Sequence, residues 1–77
     1  MTRLEFTREF AEMLSTDPDN FCGETELGSL PEWDSVAYLS AMVMIDERLG
    51  ITVRPDVISN ATTFSDILAA VHSALQD

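Results

Sequence analysis

The sequence predicts an all-α fold, a small four-helix bundle with three longer helices and one short third helix. Three observations carry this. Apolar residues recur at helical spacing in three separate stretches, and capping and stop residues stand where those stretches begin and end. The one β-branched run, Ile51-Thr52-Val53, is too short and isolated to build a sheet and reads as a connector. At 77 residues the chain makes one domain, residues 1–77, with a thin core. Its hydrophobic fraction of 45% against 23% charged is that of a folded chain, since disorder at this charge needs lower hydrophobicity.

Thr2-Arg3-Leu4-Glu5 fits a capping box, and Phe6, Phe10 and Met13, widened by Leu14, follow at i, i+4 and i+7. This predicts a first helix over residues 3–15. Ser15-Thr16-Asp17-Pro18 ends it, because Pro18 forces Asp17 out of the helical region. Residues 17–34 form a long loop rich in turn residues, and loops of this length are often functional. Phe21, Leu27, Leu30 and Trp33 are placed to pin it to the bundle; Trp33 either anchors the loop or touches a group carried next to it. Asp17-Pro18-Asp19-Asn20 does not continue as a calcium loop, because Phe21, Cys22 and Gly28 stand where ligands and the closing Glu are required.

A second helix is predicted from about Ser35 to Leu49. Tyr38, Met42, Ile45 and Leu49 form a core-facing stripe, and Val36, Leu39 and Val43 form a second stripe beside it. A helix apolar nearly all round is either central in the bundle or meets a partner, and both hold if the second stripe is partly exposed. Gly50 caps it. Arg54-Pro55 opens a short third helix reaching Asn60 that bridges the second and fourth. Thr63-Phe64-Ser65-Asp66 is close to a capping box, and Phe64, Ile67, Leu68, Val71 and Leu75 give a fourth helix running to the C-terminus.

Fourteen Asp and Glu against four basic residues, all Arg, set the formal net charge at −10. Such a chain is repelled by nucleic acid and by anionic membrane surfaces and attracted by basic patches on proteins. Acidity also serves plain solubility. One Cys, Cys22, excludes an internal disulfide and suits a reducing compartment, and a single His leaves no ligand set for zinc. No basic N-terminus leads into an apolar run, and no apolar run is long enough to span a membrane, so a monomeric cytoplasmic protein is expected.

Asp34-Ser35, at the mouth of the second helix, admits three readings. Both residue types cap helices. A serine nucleophile needs a base within reach, but His72, the only histidine, reads as a surface residue, and no strand precedes Ser35 to make a nucleophile elbow; no enzyme activity is expected. In the third reading the Ser35 hydroxyl carries a phosphodiester, which free helix N–H groups and the positive end of the helix dipole favour.

Asp34-Ser35-Val36, Asp46-Glu47 at the end of the second helix, Leu49-Gly50-Ile51, and Thr62-Thr63-Phe64-Ser65-Asp66-Ile67 together resemble an acyl carrier protein over nearly the whole chain. The resemblance implies 4'-phosphopantetheine, supplied by coenzyme A and attached to Ser35 by a phosphopantetheinyl transferase, with Asp34 part of the attachment motif. The arm's thiol would hold an acyl cargo as a thioester. Val36, Leu39, Val43, Asp46 and Glu47 would be the surface read by acyl- or aminoacyl-activating and transferring enzymes through basic patches. Val36 stands for the usual Leu, Ala37 and Ser40 stand where carriers of fatty acid synthesis tend to be acidic, and Arg48 interrupts the acidic helix end. Trp33-Asp34-Ser35 is similar to stand-alone carriers of specialised pathways, so polyketide, aminoacyl or peptidyl cargo is compatible. A reading of a different class is an acidic helical adaptor for a basic protein, with Ser35 only a helix N-cap.

Overall fold

The computed structural model describes residues 1–76. Four α-helices, α1 (Arg3–Met13), α2 (Ser35–Leu49), α3 (Pro55–Ser59) and α4 (Phe64–Val71), pack around one hydrophobic core, with no strand among the described residues. The small helical bundle expected from the sequence is the observed architecture, and α3 sits against both α2 and α4. The molecule measures 28 × 26 × 17 Å, so its thin dimension holds about two layers of helix.

The capping box of α1 forms as the sequence spells it. Glu5 N–H donates to Thr2 Oγ1 at 3.2 Å, and Thr2 N–H donates to Glu5 Oε1 at 2.9 Å. The end of α1 differs from expectation. The helix stops at Met13, two residues short of 15, and the stop comes before Pro18 acts. Ser15 adopts φ 57°, Thr16 N–H donates to Ala11 O at 2.9 Å, and Ser15 N–H donates to Glu12 O at 3.0 Å. This is a Schellman motif, with serine in the left-handed position that usually holds glycine.

Bulk in the core comes from Phe6, Phe10, Phe21 and Phe64, all buried. Phe10 is the hub: its ring centroid lies 4.9 Å from Phe64, 5.9 Å from Phe6 and from Phe21, and 5.8 Å from Trp33. Aromatic pairs at such spacing add about 0.5–1.5 kcal/mol each beyond the area they bury. These rings leave α2 little room, so its innermost positions are small. Ala37, Ala41 and Ile45 form the buried stripe, while Tyr38, Met42 and Leu49, expected at its centre, are half-buried flanks. Gly50 ends α2 at φ 69°, a backbone region that side chains resist.

Residues 17–34 are more ordered than a loop pattern suggests. Two 3-10 turns, Pro18–Asn20 and Leu27–Ser29, interrupt the segment, and Asp17 caps the first by accepting from Asp19 N–H at 3.0 Å. The segment docks on the start of α4. Leu27 N–H donates to Thr62 O and Phe64 N–H to Thr25 O, both at 3.0 Å, around an isolated bridge between Glu26 and Thr63. Gly23 O accepts from Ser65 N–H at 2.8 Å and from Ser65 Oγ at 2.9 Å. Phe21 and Leu27 are buried and Leu30 and Trp33 half-buried, so the four apolar residues do pin the segment. The α-helical part of α4 ends at Val71, and a 3-10 turn, His72–Ala74, replaces the expected continuous helix.

Candidate functional site

The site begins with how α2 starts. Pro31 cannot donate a hydrogen bond, and Trp33 N–H closes a turn onto Leu30 O at 3.1 Å. The Trp33 ring packs edge-on against Tyr38 at 4.8 Å and on Phe10, which fixes the chain just before the helix. Trp33 is therefore the anchor of the loop's end. Asp34 then takes extended geometry, φ −130° and ψ −171°, and its Oδ1 accepts from Ala37 N–H at 2.9 Å.

Asp34 is thus the N-cap, and Ser35 is the first residue of α2. The adaptor reading made Ser35 the cap; the geometry corrects that, because only the residue in extended conformation can turn its side chain onto the N–H three positions ahead. Ser35 is exposed, and its hydroxyl takes no hydrogen bond among the described residues. The N–H groups of Ser35 and Val36 precede the first intrahelical bond, which Tyr38 N–H makes to Asp34 O at 3.0 Å. They remain available to an anion held at the helix end. Ser35 therefore fits a phosphodiester: an accessible oxygen, two nearby donors, and a helix start that does not depend on its side chain. The added negative charge beside Asp34 is exposed and screened by salt.

Below Ser35 runs the stripe of Val36, Leu39 and Val43, exposed to 70%, 63% and 53%. Three of the five large exposed apolar residues of the described chain therefore lie on one side of one helix. The stripe is one wall of an open groove of about 630 Å³ whose other wall is the Glu9, Glu12 and Met13 side of α1. A second hollow of about 380 Å³ shares Met13, Val36 and Ser40 with it and reaches Asp34 and Glu32, so the groove extends to the mouth of α2.

Asp46 and Glu47 are exposed in the last turn of α2. Carboxylates there oppose the helix dipole, at a cost of about 0.3–1 kcal/mol each. Acidic residues placed against a local rule are candidates for work outside the fold. Arg48 obeys the rule and is not a free cation, for its Nη2 is ion-paired with Glu9 Oε1 across the seam between α1 and α2. The other oxygen, Glu9 Oε2, is buried and has no hydrogen-bond partner among the described residues.

The residues singled out from the sequence, Asp34, Ser35, Val36, Leu39, Val43, Asp46 and Glu47, are all exposed and all lie on α2 or its cap. The wall contributed by α1 was not read from the sequence. Glu9, Glu12 and Met13 lie on turns of α1 that a periodicity argument assigns to solvent or core, and only the packing angle of the helices brings them to α2. His72 and Cys22 are exposed. No group of three or more His, Cys, Asp or Glu among the described residues is placed to hold a metal, and no helix among them is long and apolar enough to cross a membrane. Comparison with family models, with curated proteins and with solved structures finds no match to this chain.

Proposed function

We propose that this chain is an acyl carrier protein, which holds its cargo as a thioester on a 4'-phosphopantetheine arm at Ser35. The observation that carries the reading is the division of labour at the mouth of α2: Asp34 caps the helix, and the Ser35 hydroxyl stands exposed, without a hydrogen bond among the described residues. Loading is a phosphoryl-group transfer by a separate phosphopantetheinyl transferase. The Ser35 oxygen bonds to the pantetheine-bearing phosphorus of coenzyme A, the diphosphate P–O bond breaks, adenosine 3',5'-bisphosphate leaves, and the transferase takes the serine proton. The carrier performs no chemistry of its own. Its contribution is a tether that keeps the cargo at high effective concentration near successive enzymes.

Partner enzymes with basic patches would read Val36, Leu39 and Val43 together with Asp46 and Glu47. The exposure of that stripe and the net charge of −10 support this assignment. The dipole-opposing position of the two acids supports it as well. An aminoacyl or peptidyl cargo uses the same attachment chemistry and the same surface.

Intact-mass spectrometry after incubation with coenzyme A and a promiscuous transferase tests the reading. One added phosphopantetheinyl group, absent in Ser35→Ala, is the expected result. No mass change with a transferase that loads a control carrier sinks it.

A further inference from the structure

The groove between α1 and α2 is built from two helix ridges. On α2 the ridge is Val36, Leu39 and Val43, at i, i+3 and i+7; on α1 it is Glu9, Glu12 and Met13, at i, i+3 and i+4. Side-chain rows at these spacings are what a third helix packs against, its own ridge filling the trough between them. Its lining combines the apolar Val36, Leu39 and Val43 with Met13 and Met44, whose unbranched side chains adapt to differently shaped occupants. Its rim carries Glu9, Glu12 and Glu47 against the single guanidinium of Arg48, which Glu9 already engages. Glu9 Oε2 is itself buried, so the carboxylates that an incoming cation meets are those of Glu12 and Glu47, both exposed.

We propose that this groove is a docking slot for one amphipathic, cationic helix of a partner protein, lying along the α1–α2 seam with its apolar face on Val36, Leu39, Val43 and Met13 and its Arg or Lys side chains over Glu12 and Glu47. The carrier reading needs only α2 at the surface; this inference deepens it by making α1 the second wall. An occupant with basic flanks follows from charge complementarity with the rim. A second copy of this chain, with four basic residues against fourteen acidic ones, fits it poorly.

The test is an amide chemical-shift titration of the full, unmodified chain with a synthetic helical peptide about four turns long, with leucines on one face and Lys and Arg on its flanks. Shifts along residues 9–13 of α1 and 36–47 of α2 are expected, with an affinity that falls at least about fivefold as salt is raised. Leu39→Asp is expected to weaken binding by more than about tenfold, from the loss of a buried leucine contact. Glu12→Lys is expected to weaken it about threefold to tenfold, as reversal of a rim charge does. Leu4→Asp, at the exposed leucine outside this groove, should change it less than about twofold. Shifts that spare α1 overturn the proposal, as do equal binding of a scrambled peptide of the same composition, an effect of Leu4→Asp matching that of Leu39→Asp, or concentration-dependent shifts without peptide that reveal self-association. Peptide binding without loading of Ser35 sinks the carrier reading and leaves the slot; loading without peptide binding sinks the slot and leaves the carrier.

Discussion

Asp34 and Ser35 both carry oxygens able to cap a helix, and which one does so decides what the other is free to do. Asp34 takes the extended conformation and the bond from Ala37 N–H, so the helix start does not depend on the Ser35 hydroxyl. A single residue also settles where α1 stops. Ser15 holds φ 57°, a region that costs a side-chain-bearing residue roughly 1 kcal/mol relative to glycine. Ser15→Gly is therefore expected to raise stability by about 0.5–1 kcal/mol, seen as a higher urea midpoint at unchanged m-value. A lowered midpoint would mean that the Schellman geometry at Ser15 is not held in solution.

At the scale of the element, α4 depends on its first turn. Asp66 Oδ2 accepts from Thr62 N–H at 2.8 Å and from Thr63 N–H at 3.2 Å, and these two backbone bonds hold the Asp66 carboxyl below its ordinary pKa. A group with a depressed folded pKa stabilises the fold fully above its unfolded value, and that contribution disappears as pH falls through the folded value. Asp66→Asn is accordingly expected to lower thermal stability at neutral pH, with the gap to the parent chain closing under acid conditions. A gap that is constant with pH would show that the ionised carboxylate has no part in capping. The same turn also holds the long segment, through the bonds of Thr62, Phe64 and Ser65 to Leu27, Thr25 and Gly23.

Elements were the most legible level of the sequence. The bounds of α2, the box at Thr2, the cap at Gly50 and the short α3 all follow from local rules, and each is present. What local rules missed has a common cause in tertiary packing. Ala37 and Ala41 lie innermost on α2 because four phenylalanines from other segments fill the core, and no periodicity within α2 reports that. The bridge between Glu26 and Thr63 pairs residues far apart in sequence without a strand pattern in either. At the site, Asp34, Ser35 and the exposed stripe were legible because they share one helix. The α1 wall was not, because Glu12 and Met13 meet Val36 and Val43 only through the crossing of two helices.

For the whole molecule, the dominant fact is the pairing of a strong negative charge with one exposed apolar stripe. In the proposed reading, charge would draw a basic partner in over a distance and the stripe would hold it once water is expelled. The two contributions separate by experiment. Asp46→Lys is expected to slow phosphopantetheine loading severalfold at low salt and much less at high salt, whereas Val43→Glu should slow it at both. Both residues are exposed, so circular dichroism should find the fold retained. Unchanged loading kinetics in both variants would remove α2 from the recognition surface.

The central claim is that Ser35, and no other nucleophile of this chain, carries the group. Fragmentation mass spectrometry of the loaded chain tests this most directly, because Ser29, Ser40 and the exposed Cys22 thiol are alternatives close by in sequence. One phosphopantetheinyl group per chain is expected, all of it on the fragment whose only new mass is at Ser35. An added group located on Cys22 or on another serine, or spread over several residues, would contradict it.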